Sequence, residues 1–374
     1  MKEYITFIFV ALILIMVGDI TRKKGFDKLT IKRKVDREAI VEGEEFKITT
    51  IIENKKLLPI SYLRIEEEIP SKLPRISEES EPDTSNGMLY YTSKYSILWF
   101  ERIKKTYTSK GVRRGTYNIR NMKITIGDVF GFSSISENIE DSIEILVYPR
   151  IMDFRKFNFE STNIQGDNIV KRWIYKDPLY IRGIREYNVE DRMKDIHWKS
   201  SLKMNKLMVK DYDYTSEREV ILIVDVQCGE PYWGSIMEDI VENIIRIAAS
   251  LAQEAIKQGI ATGMWTNSQI IGFNNDFDEQ VHPSLNSFQS IMELCARMDY
   301  FPRKEFYKFL NDREQEFNNS YTYILITSYL NSESQNILAK FRRAGVLIKI
   351  IDVSKDGTVP IIAGIEKTNY REEY

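Results

Sequence analysis

The sequence predicts a multidomain chain: an N-terminal transmembrane helix, then a β-sandwich, then an α/β domain on a mainly parallel sheet. Three observations carry this reading. Residues 4–18 form an uncharged apolar run, YITFIFVALILIMVG. Residues 27–150 alternate apolar and polar side chains between turn signals, the pattern of half-buried antiparallel strands. From residue 219, continuous apolar runs alternate with amphipathic stretches, as in a parallel sheet covered on both faces. The expected divisions are an anchor at 1–24, the β-sandwich at 27–150, a charged and aromatic segment at 151–215, and the α/β domain at 216–374.

As a helix, residues 4–18 rise roughly 22 Å against a hydrocarbon core of about 30 Å. Ile20 and Thr21 extend the run past Asp19. A cleaved leader fits less well: Lys2 is offset by Glu3, and Val17-Gly18-Asp19 is a poor cleavage site. A buried core helix would show a polar face, and this run has none. Arg22, Lys23 and Lys24 follow the run while Lys2 stands alone before it. The positive-inside tendency then places the bulk of the chain in the cytoplasm, on a single-pass anchor in the cell membrane.

In the β region, Leu29, Ile31, Arg33 and Val35 share one strand face, and Leu63, Ile65, Glu67 and Ile69 share another. Val41-Glu42-Gly43-Glu44 reads as a turn before a strand at 46–52. Residues 71–88 form a polar loop, and further strands are expected at 89–95, 97–107, 117–126 and 143–148. In the α/β region, Val220–Val224 is a buried strand ending at Asp225. Helices are expected at 234–257, 284–298, 303–316 and 333–343. Strands are expected at 260–265, 321–327 and 346–353.

Composition excludes several function classes. Lys and Arg number 53 against 55 Asp and Glu, for a net charge of −2, so no basic excess points to nucleic acid. Two cysteines, Cys228 and Cys295, form no CxxC pair and read as buried small hydrophobes in a reducing compartment. Only His197 and His282 are available for histidine chemistry. The chain has no GxxxxGK[ST] loop, GxSxG elbow or HExxH, and no GxGxxG after Val224. No cofactor and no catalytic residue is therefore expected.

Two places hold chemistry worth weighing. Asp225 ends the first α/β strand, where open sheets place ligands, and a carboxylate there is a weak candidate for holding a hard cation. Gln227 could add an amide oxygen, but Gly229 offers no side chain. A carboxylate capping a turn is the simpler reading. The second place is 181–212, where Met193, Ile196, His197, Ser200 and Met204 can line a helical stripe and Leu207 and Val209 a strand. His197 could act as a base with Asp191 or Asp195, but no nucleophile is spaced to it; a structural histidine beside Trp198 is the simpler reading.

The pattern Arg185-x-Tyr187-x3-Asp191-Arg192-x3-Ile196-His197-Trp198-Lys199-x-Ser201, followed by Leu207-x-Val209-Lys210, resembles the signature of domain-of-unknown-function family fifty-eight. Arg114-Gly115-x-Tyr117, Asp128-Val129-Phe130-Gly131-Phe132 and Val147-Tyr148-Pro149 resemble further elements of that family, in order. The resemblance implies bacterial membrane proteins with a von Willebrand factor A-like, Rossmann-like α/β domain. It also implies association with MoxR-type AAA+ ATPases and roles in complex assembly or the envelope. Arg185, Tyr187, Asp191, Arg192, His197, Trp198, Lys199 and Lys210 then become a possible partner surface. The metal-binding DxSxS pattern of A-type domains falls on Asp225, Gln227 and Gly229, which keep one ligand of three.

The expected function is a membrane-anchored, non-enzymatic scaffold or adaptor working with a MoxR-type ATPase, with other membrane proteins as further partners. One alternative is a metal-dependent adhesion or ligand-binding protein facing outward. Another is an uncharacterised enzyme using His197.

Overall fold

The structure is a computed structural model and describes residues 24–76, 82–127, 134–152, 158–159, 181–188, 193, 196–212, 219–272 and 278–371. The apolar run at 4–18, the Asp128–Phe132 motif, Asp191, Arg192 and Asp195 lie outside the described residues. Among the described residues, no helix is long and apolar enough to cross a membrane. The chain divides into two compact units. One is Met1–Arg150 with Ile271–Phe277 and Cys295–Met298; the other is Ile151–Ile270 with Asp278–Leu294 and Asp299–Tyr374.

The first unit contains β1 (Leu29–Val35), β2 (Ala39–Val41), β3 (Glu45–Asn54), β4 (Ile60–Pro70), β5 (Asp83–Ser85), β6 (Met88–Ile97), β7 (Arg102–Lys110), β8 (Gly115–Gly127), β9 (Ser134–Ile139) and β10 (Ile143–Tyr148). One sheet has the order β1-β3-β7; the other runs β2-β10-β8-β4-β6-β5, with β9 beside β8. The period of two dictates the burial. Phe46, Ile48, Thr50, Ile52 and Asn54 of β3 point inward while their neighbours do not. Ile48 and Tyr107 of the first sheet share a cluster with Ile69, Tyr91, Ile119 and Val147 of the second. Ile31 and Ile52 likewise meet Leu63, Ile65, Met122 and Ile124.

Two charged residues on these inner faces are matched internally. Glu67 is paired with the Arg75 guanidinium, accepts from Tyr107 Oη at 3.0 Å, and lies 3.4 Å from Thr50 Oγ1. Arg75 in turn stacks over the Tyr107 ring, 3.4 Å from its centroid. Burial and the Glu67 charge push the Tyr107 phenol well above its usual range. Arg33 pairs with Asp141 at 3.3 Å. A buried charge is tolerated only when paired in this way.

From residue 158 the elements are β11 (Asn158–Phe159), β12 (Ile181–Glu186), α1 (Trp198–Met204), β13 (Met208–Tyr212), β14 (Glu219–Val224), α2 (Glu238–Lys257), β15 (Thr262–Thr266), β16 (Ser268–Ile270), β17 (Gln280–Ser284), α3 (Phe288–Arg297), β18 (Met298–Pro302), α4 (Phe306–Asp312), β19 (Tyr321–Thr327), α5 (Ser332–Arg343), β20 (Leu347–Asp352) and β21 (Glu366–Arg371). The main sheet runs β11-β21-β20-β19-β14-β15-β17. Its pairings β15–β14, β14–β19, β19–β20 and β20–β21 are parallel, and β17 runs antiparallel at one edge. Gly263 is required by that edge: a Cβ there would lie 2.6 Å from the Val281 carbonyl oxygen.

Because β14 and β19 are apolar on both faces, each face needs cover. Ile221, Ile223, Tyr323 and Leu325 pack with Phe306 and Phe309 of α4 and Leu338 and Phe341 of α5. The long helix α2 packs on β14, β15 and β19 through residues such as Ile244, Ile245 and Ala248. The helix expected over 303–316 is shorter, because the chain is still extended at Glu305 (φ −56°, ψ 140°). It ends at Asp312, before a separate turn at Glu314–Glu316.

Candidate functional site

Counted along the chain, β14, β15, β17, β19, β20 and β21 are first to sixth, and they lie side by side as 3-2-1-4-5-6. In such sheets the crevice outside the strand ends opens where the order reverses, here between β14 and β19. Asp225 follows β14 at that place and is fully buried. Its Oδ1 accepts from the Gln227 amide at 3.0 Å and from Asn267 Nδ2 at 2.7 Å. Its Oδ2 accepts from Thr327 Oγ1 at 2.8 Å. Asn267 Oδ1 accepts the Val226 amide at 2.9 Å. One carboxyl thus ties together the ends of β14, β15 and β19.

Burial pushes the Asp225 carboxyl up to about 7, against the opposing pull of those three donors. Cys228, half-buried nearby, has its thiol pushed up by burial as well. Gln227 spends its side-chain oxygen on the Phe306 amide at 2.9 Å and its nitrogen on the Gly229 carbonyl at 3.2 Å. Among the described residues, no three His, Cys, Asp or Glu side chains gather as a metal cluster. The arrangement around Asp225 is that of a strand-end clasp made with neutral donors. One strand further on, Asp352 is also fully buried. It accepts from Ser354 Oγ at 2.6 Å, the Val359 amide at 3.0 Å and Lys367 Nζ at 2.8 Å.

The second candidate is a hairpin with a helix inserted in it. β12 and β13 pair antiparallel, with Glu186 opposite Met208, Arg185 opposite Val209 and Ile184 opposite Lys210. The intervening chain is closed by Tyr187 N to Leu207 O at 2.9 Å and His197 N to Met208 O at 2.8 Å. Ile196 bridges Val209. His197 is the N-cap of α1: its Nδ1 accepts the Ser200 amide at 3.1 Å. That role needs an unprotonated Nδ1. Ser201 is buried beneath the helix, accepting from the Met208 amide at 2.8 Å and donating to the His197 carbonyl at 3.1 Å. The helix stops at Asn205, whose left-handed φ of 50° suits an asparagine.

These internal bonds leave a definite outer surface. Trp198 is 61% exposed, and Leu202, Met204, Leu207 and Met193 are also exposed. Lys199, Lys203 and Lys206 stand exposed among them. Residues 196–210 include four lysines and no carboxylate; across the hairpin, Glu186 pairs with Lys206 at 2.8 Å. Arg185 is exposed and donates to the Glu186 carbonyl, while Tyr187 and Lys210 are half-buried. The structure therefore brings Arg185, Tyr187, His197, Trp198, Lys199 and Lys210 onto one small motif. Asn267, Thr327 and the Asp352–Lys367 pair carry no sequence motif of their own and are joined to their partners only by the sheet.

The family model described as Protein of unknown function DUF58 matches residues 183–300, which take in most of this motif and Asp225, Gln227 and Asn267 of the clasp but not Thr327. A curated relative from Bacillus subtilis (strain 168), the uncharacterized protein YeaD, is 20% identical over 239 residues, covering 62% of this chain and 54% of its own length. The chain spans about half the length of that relative. Among solved structures, the CARDB domain of a Pyrococcus furiosus protein in complex with di-metal ions aligns at 15% identity, over 32% of this chain and 91% of that chain, with a TM-score of 0.22. A non-cellulosomal cohesin from Archaeoglobus fulgidus aligns at 13% identity, over 34% and 92%, with a TM-score of 0.20. Overlaps that low carry no argument about fold or function. Residues 183–300 thus match the model of a family of unknown function, and the chain has a distant, uncharacterised bacterial relative.

Proposed function

We propose that this protein is a membrane-anchored, non-enzymatic scaffold, held in the cell membrane by residues 4–18 with its bulk in the cytoplasm. In this reading the first unit is a β-sandwich and the second a von Willebrand A-like, Rossmann-like domain. The 3-2-1-4-5-6 order with antiparallel β17 at its edge supports the latter, and the short β11 adds an antiparallel strand at the opposite edge. The partner is a MoxR-type AAA+ ATPase, met through the hairpin–helix motif. The observation that carries the reading is the outer face of α1. Its polar interior is satisfied within the motif, while Trp198, Leu202 and Met204 stay exposed among lysines. Large exposed apolar side chains grouped on one motif mark interaction surfaces. A complementary partner presents an apolar groove with an acidic rim.

Affinity capture of the detergent-solubilised full chain, with a MoxR-type ATPase from the same cell co-expressed, tests this. The ATPase is expected in the eluate of the native chain and at least tenfold depleted with Trp198→Ala or Leu202→Glu, since central aromatic anchors carry about 2 kcal/mol or more. Capture that is absent, or unaffected by both substitutions, overturns the partner surface. The outward-facing, metal-dependent alternative draws no support from Asp225, whose oxygens are already taken by Gln227, Asn267 and Thr327.

A further inference from the structure

The first unit carries a second group of exposed apolar side chains, and it lies where the chain comes in from residues 1–23. The β3–β4 loop, 55–59, and the β6–β7 loop, 98–101, sit side by side. Asn54, fully buried, holds them together: its Nδ2 donates to the Leu58 carbonyl at 2.9 Å and to the Leu98 carbonyl at 2.8 Å. The Phe100 amide donates to the Lys56 carbonyl at 3.3 Å. At the tip, Leu57 is 76% exposed, Leu98 53%, Trp99 58% and Phe100 66%.

Folding gives no reason for these residue types. Phe100 has a φ of +50°, a left-handed conformation that glycine or asparagine adopts freely and a bulky side chain does not. The loop keeps an aromatic there although its ring is in solvent. Neither of the two hydrophobic clusters of the described residues in this unit includes Leu57, Leu98, Trp99 or Phe100.

The same loops grip the start of the described chain. Lys56 Nζ donates to the carbonyls of Lys24 at 2.8 Å, Gly25 and Asp27 at 2.8 Å. The Lys55 amide donates to the Lys28 carbonyl at 3.0 Å. Lys24, Lys28 and Lys55 are exposed around this end of the unit, Lys55 paired with Glu53 at 3.3 Å and Asp27 exposed beside Lys28. From Gly18, the last residue of the apolar run, to Lys24 is at most roughly 20 Å of fully extended chain. Whatever conformation that stretch adopts, the tip cannot lie far from the end of the apolar run.

We infer that Leu57, Leu98, Trp99 and Phe100 form an interfacial membrane contact, inserting into the headgroup–acyl boundary of the bilayer that holds residues 4–18. The inference rests on the anchor reading for what brings the loops to a bilayer. It adds that the first unit is docked on the surface rather than tethered at a distance. Tryptophan suits this boundary, its ring dry at one end and able to hydrogen-bond at the other, and leucine and phenylalanine suit its acyl side. Lys24 and Lys28 add positive charge suited to an anionic leaflet.

The test uses the full chain reconstituted into vesicles of phosphatidylethanolamine and phosphatidylglycerol with brominated acyl chains. The chain is expected to float with the vesicles and its tryptophan emission to be quenched by bromine. Trp99→Phe should remove much of that quenching, and Trp233→Phe, an exposed tryptophan in the second unit, should not. Leu57→Ser with Phe100→Ser, which leaves both hydrophobic clusters intact, should lower the quenching of Trp99 and shift its emission to the red. A chain that floats but shows no Trp99 quenching overturns the inference and leaves the anchor standing. Trp99 shielded from acrylamide yet unquenched by bromine means that a protein surface covers the tip, and also overturns it. A chain that does not float overturns the anchor and this contact together.

Discussion

Asp225→Asn separates the electrostatic cost of the clasp from its hydrogen bonds. The new amide oxygen can accept from Gln227 N and Asn267 Nδ2, as Oδ1 does now. The new amide nitrogen faces Thr327 Oγ1, which can turn its proton to the Tyr329 carbonyl 2.9 Å away and accept instead. Each of the three contacts keeps a partner, the one to Thr327 with its direction reversed, the amide adds one further N–H, and the ionisation is removed. In the native chain, burial raises the carboxyl from 3.8 to about 7. Below pH 3.8 the folded and unfolded chains both hold the proton. Between there and about pH 7 only the folded chain holds it. Stability therefore falls with rising pH by about 1.4 kcal/mol per pH unit. Above about pH 7 the loss is complete and amounts to about 4 kcal/mol, an upper figure for this group. Urea unfolding of the two proteins over pH 4–9 reads it. Asp225→Asn should be close to native stability at pH 4 and gain over it steadily up to pH 7, then stay parallel. A stability difference that does not change with pH, or that grows toward acid, would refute the reasoning.

Three further outcomes follow from other hydrogen-bonded and paired groups. His197→Ala should weaken α1 by about 1 kcal/mol through loss of its N-cap, while His197→Asn should restore it; hydrogen exchange over 198–204 measures both. If His197→Asn keeps the helix but abolishes capture of the ATPase, the histidine is more than a cap. Arg75→Ala leaves Glu67 buried without its cation and should cost about 3–5 kcal/mol in urea unfolding of the first unit, whereas native-like stability would mean that water reaches Glu67. Lys367→Met leaves Asp352 buried with only its neutral donors and should cost about 3 kcal/mol. Hydrogen exchange in β20 and β21 should rise in that variant, and unchanged exchange would show that the ion pair does not hold those strands.

The sequence by itself determined what depends on near neighbours. A period of two marks which face of a strand is apolar, so the strand read at 143–148 is Ile143–Tyr148 in the structure. The buried run read at 321–327 is Tyr321–Thr327, and the amphipathic stretch before Gly345 is the helix Ser332–Arg343. The same period placed Arg33 and Glu67 on apolar faces, but not the partners that make those positions tenable. Asp141 lies 108 residues from Arg33. Asn267 and Thr327 lie 42 and 102 residues from Asp225. No local spacing encodes those pairs; strand register sets them, and register is a property of the closed sheet. The hairpin–helix motif was legible as a cluster of residue types, and His197 as a histidine beside Trp198. That His197 caps the helix was decided only when β12 and β13 paired and fixed the ends of the chain between them. For the same reason the tip of Leu57 and Trp99 was invisible along the sequence: two loops meet there through the hydrogen bonds of one buried asparagine, Asn54, which lies 44 residues from Leu98.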